Sequence, residues 1–85
     1  MHGFSFMGEA DARAIFDIGK STFRQRIADG LLPGPVKFGA RSLWPRHELD
    51  AVAGAVIGGA SDDDLRALVA QIVEARKANA TRAAA

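Results

Sequence analysis

The chain has 85 residues, a formal net charge of +1 and an apolar fraction of 48%, which predict one small soluble domain with a single hydrophobic core. It contains no Cys, so a disulfide framework, a thiolate zinc site and a cysteine nucleophile are excluded. No run approaches the roughly 18 consecutive apolar residues that span a membrane, and the start MHGFSFMGEA lacks the features of a signal peptide. We therefore expect a cytoplasmic protein.

The charge is unevenly distributed along the chain. Residues 18–47 carry six basic side chains against one acidic side chain, a net charge of +5, and the other residues together carry −4. A concentrated positive segment is typical of proteins that bind a phosphate backbone. A positive segment also occurs on an ordinary solvated surface. The predicted elements that carry these charges distinguish the two interpretations.

A short helix is predicted first, over residues 8–16. Its sequence, GEADARAIF, places Ala12, Ile15 and Phe16 at the spacing of one helix face. The next three residues, Asp-Ile-Gly at 17–19, consist of two turn formers around one apolar residue that can be buried. We predict a break in the helix here.

A second, basic helix is predicted over residues 20–29. Phe23 and Ile27, four residues apart, form its buried side. Gly30 is the residue type expected after a helix end, and Pro33 prevents continuation.

A two-stranded hairpin is predicted next. Residues 36–38 and 41–44 are the strands, and Gly39-Ala40 between them suits a two-residue turn. Trp44 is expected to seal the hairpin onto the helices, as a core residue rather than a stacking platform. Pro45 is predicted at the first position of a third helix, whose apolar face is Leu49, Val52, Ala53, Val56 and Ile57.

The last helix is predicted over residues 62–78, after a hinge at 58–61. Ser61 and Asp64 are spaced as a capping box, which explains the acidic run 62–64 better than cation binding does. The final residues, ANATRAAA, are expected to fray. Leu65, Leu68, Val69 and Ile72 form the apolar side, which is expected to pack on its own domain or on a second copy in a homodimer.

The sequence Gly19-Lys20-Ser21 also ends the phosphate-binding loop of NTPases. That loop needs a Gly five residues earlier, where this chain has Ala14 within a predicted helix. His2 and His47 stand alone, without other metal ligands or a catalytic partner nearby in sequence. We therefore expect no enzyme activity, no cofactor and no metal ion.

A short helix, a tight turn and a basic helix form a helix-turn-helix, whose second helix enters the major groove of DNA. The predicted fold is mainly α with a small β-hairpin wing: a winged helix-turn-helix with an additional C-terminal helix. Its parts are an N-terminal arm (1–7), the DNA-binding domain (8–57), the hinge (58–61) and the C-terminal amphipathic helix (62–85). The residues expected to contact DNA are Lys20, Ser21, Thr22, Arg24, Gln25, Lys37, Arg41 and Arg46.

Five segments of the chain resemble the small winged helix-turn-helix proteins of the AlpA and excisionase type, within the MerR-like group. They are IGKST (18–22), GLLP (30–33), VKFG (36–39), RSLW (41–44) and ELDA (48–51). The resemblance covers residues 8–57 and implies a transcriptional regulator of a prophage or mobile element. Asp17 departs from the family pattern, where Gly is usual, and so does Arg24, where Tyr is common.

Two alternatives remain open from the sequence. One is an excisionase-like architectural protein that bends DNA through the same surface. The other is a protein-interaction module in which the C-terminal helix is the main binding surface.

Overall fold

A computed structural model describes the backbone of residues 4–84 and the side chains of residues 4–80. Residues 1–3 of the arm, His2 among them, and Ala85 therefore lie outside the described residues. The described chain is mainly helical with a small antiparallel sheet. Its elements are β1 (Phe6–Met7), α1 (Glu9–Phe16), α2 (Lys20–Ala28), β2 (Val36–Phe38), β3 (Arg41–Pro45), α3 (Arg46–Ile57) and α4 (Asp62–Ala84).

The predicted α1, α2 and hairpin are confirmed, and each of their ends lies within one residue of its predicted position. In the hairpin, Phe38 pairs with Arg41 across Gly39-Ala40, so the turn has the two residues that were predicted. Gly39 has φ of +63°, which a two-residue hairpin turn requires at its first position and which Gly adopts without strain.

The connection between α1 and α2 has a definite geometry. Asp17 ends α1 in the left-handed conformation, with φ of 53° and ψ of 48°. The amide of Asp17 donates to the carbonyl of Ala14, and the amide of Ile18 donates to the carbonyl of Arg13. These two bonds are the pair found where Gly normally ends a helix. Asp17 thus adopts a backbone conformation for which Gly is the usual residue, and Asp is one of the few others that tolerate it.

The N-terminal arm was predicted without a strand, and this is corrected by β1. Phe6 pairs with Pro45 and Met7 with Trp44, antiparallel to β3, and the amide of Arg46 donates to the carbonyl of Ser5 at 2.8 Å. The sheet order is β1-β3-β2. A two-residue strand has no alternation that a sequence pattern could reveal; it forms because the second edge of β3 has unpaired backbone groups.

Two other boundaries differ from the prediction. Pro45 is the residue that caps α3 rather than its first helical residue. The helix α4 continues to Ala84, where fraying was expected after residue 78. The extra residues are rich in Ala, the strongest helix former, and they prolong a helix that is already nucleated.

The core lies where α1, α2, α3 and the hairpin meet the first half of α4. Trp44 was predicted as a core residue, and this is confirmed. Its ring meets Phe23 edge-on, with centroids 5.2 Å apart, and its Nε1 donates to the carbonyl of Pro33 at 3.1 Å. The buried cluster is Ala12, Phe23, Leu31, Leu32, Trp44, Leu49, Val52, Leu65 and Val69.

The start of α4 is fixed by the predicted capping box. The amide of Asp64 donates to Oγ of Ser61, and the amide of Ser61 donates to Oδ2 of Asp64, both at 3.1 Å. This reciprocal pair satisfies two backbone donors that the helix leaves free. Of the helices within residues 4–84, none is both long and apolar enough to cross a membrane.

Candidate nucleic-acid interface

The outward side of α2 is polar and open. Phe23 is fully buried and Ile27 half-buried, so at 100° per residue Ser21 and Gln25 lie on the opposite side of the helix. Both are exposed, as is Thr22. Nε2 of Gln25 donates to Oδ1 of Asp29 at 2.9 Å, which leaves the amide oxygen and one N–H of Gln25 available for a ligand.

Arg24 stands on one flank of that side and contacts α1. Its Nη2 donates to Oε1 of Glu9 at 3.1 Å. The Arg24 side chain is 62% exposed and that of Glu9 25%. Arg24 therefore presents most of its guanidinium to solvent while a carboxylate holds one corner of it.

A cleft separates α2 from the hairpin, and we call it the α2–hairpin cleft. It is lined by Glu9, Phe23, Arg24, Ile27, Pro35, Ser42 and Trp44. Nζ of Lys37 donates to Oγ of Ser42 at 2.9 Å, so the ammonium of Lys37 lies at the hairpin side of the cleft. Arg24 lines the cleft directly, and Lys37, 13 positions further along the sequence, is bonded to the lining residue Ser42.

The hairpin separates two residues that the sequence grouped together. Lys37 pairs with Ser42, whereas Arg41 pairs with Phe38. Because successive residues of a strand point to opposite faces, Arg41 and Phe38 leave the hairpin on the face away from Lys37 and Ser42. Phe38, at the end of the hairpin, is 75% exposed.

Two more predicted DNA contacts, Lys20 and Arg46, lie at the starts of α2 and α3. Lys20 is exposed at the start of α2. Arg46 is exposed at the start of α3, forms an ion pair with Asp50 at 3.5 Å, and borders a groove with Ser5, Phe6, Met7, Asp11, Ala14 and Ile15. Arg46 therefore lies apart from the α2–hairpin cleft, on the side of α1 and β1.

Two residues at this site were not singled out from the sequence. In the sequence, Glu9 stands only as a member of the first predicted helix and Ser42 only as a member of a predicted strand. Their contacts join residues 15 and 5 positions apart across different elements. The Glu9–Arg24 pair depends on how α1 packs against α2, which no local spacing predicts. The Lys37–Ser42 pair follows from the register of the two-residue turn, which places these residues opposite each other.

The apolar side of α4 packs on its own domain. Leu65 and Val69 are buried in the core cluster, and Leu68 and Ile72 are partly buried against it. Nε of Arg66 donates to the carbonyl of Asp29 at 2.9 Å, which joins α4 to the end of α2. A homodimer through these four apolar side chains stays a prediction. Leu65 and Val69 are already buried in the core of their own domain, so they offer little surface to a second copy.

Comparison of the chain with models of protein families, with curated proteins and with solved structures gave no match. Within residues 4–84, no group of three His, Cys, Asp or Glu side chains is placed to hold a metal ion.

Proposed function

We propose that this protein binds double-stranded DNA in a sequence-specific way, as a winged helix-turn-helix transcriptional regulator of a prophage or mobile element. One observation carries the proposal: Arg24, on the flank of the exposed polar side of α2, lines the α2–hairpin cleft, and the ammonium of Lys37 is bonded to Ser42 on the hairpin side of the same cleft. In this proposal α2 is the recognition helix, α1 supports it, and the hairpin is the wing.

The chemistry of the exposed side chains suits this role. Gln25 can pair with adenine through two hydrogen bonds, and Arg24 with guanine. Ser21 and Thr22, on the first turn of α2, can bond phosphate oxygens, and Lys20 precedes them. The first turn of α2 contains no acid, so the positive end of the helix dipole adds to the attraction for phosphate.

A second candidate, an architectural protein that bends DNA, is favoured by Phe38. An aromatic side chain that is 75% exposed at the end of a hairpin, between the cations Lys37 and Arg41, is suited to insertion between base steps. Bending of a bound duplex, measured from the energy transfer between dyes at its ends, separates the candidates. Loss of the bend in Phe38→Ser, with binding retained, is expected only for the architectural protein.

The protein-interaction alternative has less support, because the apolar side of α4 already packs on its own domain. Among the described residues of α3 and α4, the exposed large apolar side chains are Val73 on α4 and the pair Val56 and Ile57 at the end of α3. They are scattered over the two helices. They offer no counterpart to the clustered charge of α2 and the hairpin.

The test is a salt series of binding to a random-sequence duplex. Several neutralised phosphates predict that log K falls with log salt with a slope of about −0.9 for each phosphate. A variant with Lys20, Arg24 and Lys37 all changed to Ala is expected to lose most of that slope. A triple variant on α4 that also removes three positive charges, Arg66, Lys77 and Arg82 to Ala, is expected to keep it. Absence of binding by the parent protein at low salt would exclude the proposed function.

A further inference from the structure

We propose that Glu9 is a positioning residue for DNA recognition: it holds Arg24 in the orientation that reads a guanine and disfavours the orientation that contacts phosphate. This inference rests on the proposed function. It starts from the contact between Nη2 of Arg24 and Oε1 of Glu9 at 3.1 Å, which joins the first turn of α1 to the middle of α2.

The contact is poorly explained as a source of stability. Arg24 is 62% exposed, and exposed ion pairs contribute about 0–1 kcal/mol. Glu9 also carries a cost: its Oε2 atom is shielded from solvent without a hydrogen-bond partner, and so is Nε of Arg13, which lies 3.8 Å from it. This carboxylate also lies beside a surface that is proposed to bind a polyanion. We therefore infer a role for Glu9 other than stability.

Its effect on Arg24 supplies that role. A guanidinium has five N–H donors in a fixed plane, and the bond to Glu9 leaves the others free at the mouth of the α2–hairpin cleft. With its plane held, Arg24 can present two parallel donors to the O6 and N7 atoms of a guanine. If Arg24 turned instead to a phosphate, Glu9 would lose its hydrogen-bonded partner, keep only the more distant Arg13 at 3.8 Å, and lie near the phosphate charge.

Glu9 therefore has opposite effects on the two modes of binding. It stabilises the complex with the correct base by reducing the freedom of Arg24, and it destabilises complexes in which Arg24 binds only phosphate. Specificity achieved partly by repulsion of the wrong complex is a general strategy of binding proteins.

The experiment compares Glu9→Gln with the parent on two probes. One is a duplex selected by the parent from a random pool, and the other is a random-sequence duplex. Glu9→Gln is nearly isosteric; it removes the charge and replaces one acceptor oxygen with an NH₂ donor, which weakens the hold on Arg24. We expect weaker binding to the selected duplex, equal or tighter binding to the random one, and a fall in the ratio of the two affinities of about tenfold, as for loss of one bidentate base contact.

Two further variants make the test specific. Asp11→Asn removes an acid from the same turn of α1 without touching Arg24, and it is expected to preserve the ratio. In an Arg24→Ala background, Glu9→Gln is expected to have no effect on the ratio, because the residue it positions is absent.

Three results would overturn the inference. Equal losses on both duplexes, together with a lower melting temperature, would mean that Glu9 is only structural. Equal gains on both would mean that it only repels DNA. If Glu9→Gln lowered the ratio of the two affinities as much in the Arg24→Ala background as in the parent, Glu9 would act through a residue other than Arg24. Failure of the parent to bind any duplex is a different outcome, because it refutes the proposed function itself.

Discussion

The guanidinium of Arg76 in α4 donates hydrogen bonds to both carboxylate oxygens of Glu48 in α3, at 2.6 and 2.9 Å. Glu48 is only 5% exposed. Arg76 also donates to the carbonyl of Gly34, at 2.8 Å. One side chain therefore ties α4 both to α3 and to the segment that precedes the hairpin.

Removal of this cation is expected to destabilise the fold. Arg76→Ala leaves the carboxylate of Glu48 buried without a partner, and breaking a buried pair in this way costs about 3 kcal/mol. The free energy of unfolding in urea measures it. Gln71→Ala, an exposed change on the same helix, is expected to cost less than about 0.5 kcal/mol. The double variant Glu48→Leu with Arg76→Met is expected to recover most of the loss; if it remains as unstable as Arg76→Ala, the buried charge is not the cause.

The apolar side of α4 gives a second prediction. Leu65 is buried in the core, whereas Val73, two turns further along α4, is 42% exposed. Leu65→Ala is expected to lower the free energy of unfolding by about 2–3 kcal/mol, and Val73→Ala by less than about 1 kcal/mol. The mass of both variants on dilution tests the homodimer expectation in parallel. If Leu65→Ala dissociates an oligomer while the subunit keeps its stability, this side of α4 serves a partner rather than the core.

The fold and the candidate site differ in how far the sequence predicts them. Apolar spacing reveals α1, α2, α3 and the hairpin because each buries one face, and turn residues such as Gly30 and Gly39 mark their ends. The pairs Glu48–Arg76 and Glu9–Arg24 join residues 28 and 15 positions apart, and no periodicity encodes them. For the same reason the sequence identifies the cations of the candidate site but not the opposite orientations of Lys37 and Arg41.

Asp17 gives a third prediction, on stability. Its φ of 53° is costly for residues with a Cβ and free of strain for Gly. Asp17→Gly is expected to raise the free energy of unfolding by about 0.5 kcal/mol, because the relief of strain exceeds the added entropy of the unfolded chain. Asp17→Val is expected to lower it by more than about 1 kcal/mol. Asp17→Asn, which tolerates the same conformation, is the control and should match the parent. Equal stability of the Gly and Val variants would contradict the left-handed assignment.

The outward side of α2 gives a fourth prediction, on specificity. Gln25 lies opposite the buried Phe23 and retains free hydrogen-bonding groups. Gln25→Ala is expected to weaken binding to a selected duplex by about 1–3 kcal/mol and to relax the preference at one base pair. Binding to a random duplex should change little. Gln71→Ala makes the same chemical change on α4 and is expected to leave both affinities unaltered. A Gln25→Ala protein that selects the same sequence as the parent would mean that α2 does not read bases through this residue.

The hairpin gives a fifth prediction, on phosphate contact. The ammonium of Lys37 donates to Ser42, which lines the α2–hairpin cleft, at 2.9 Å. If it neutralises one phosphate, Lys37→Ala should make the slope of log K against log salt less steep by about 0.9 on any duplex, while the sequence preference stays the same. Lys77→Ala removes the same charge from α4, next to Glu74, and should leave the slope unchanged. An identical effect of the two variants would mean that only net charge matters and that the hairpin has no particular place on the DNA.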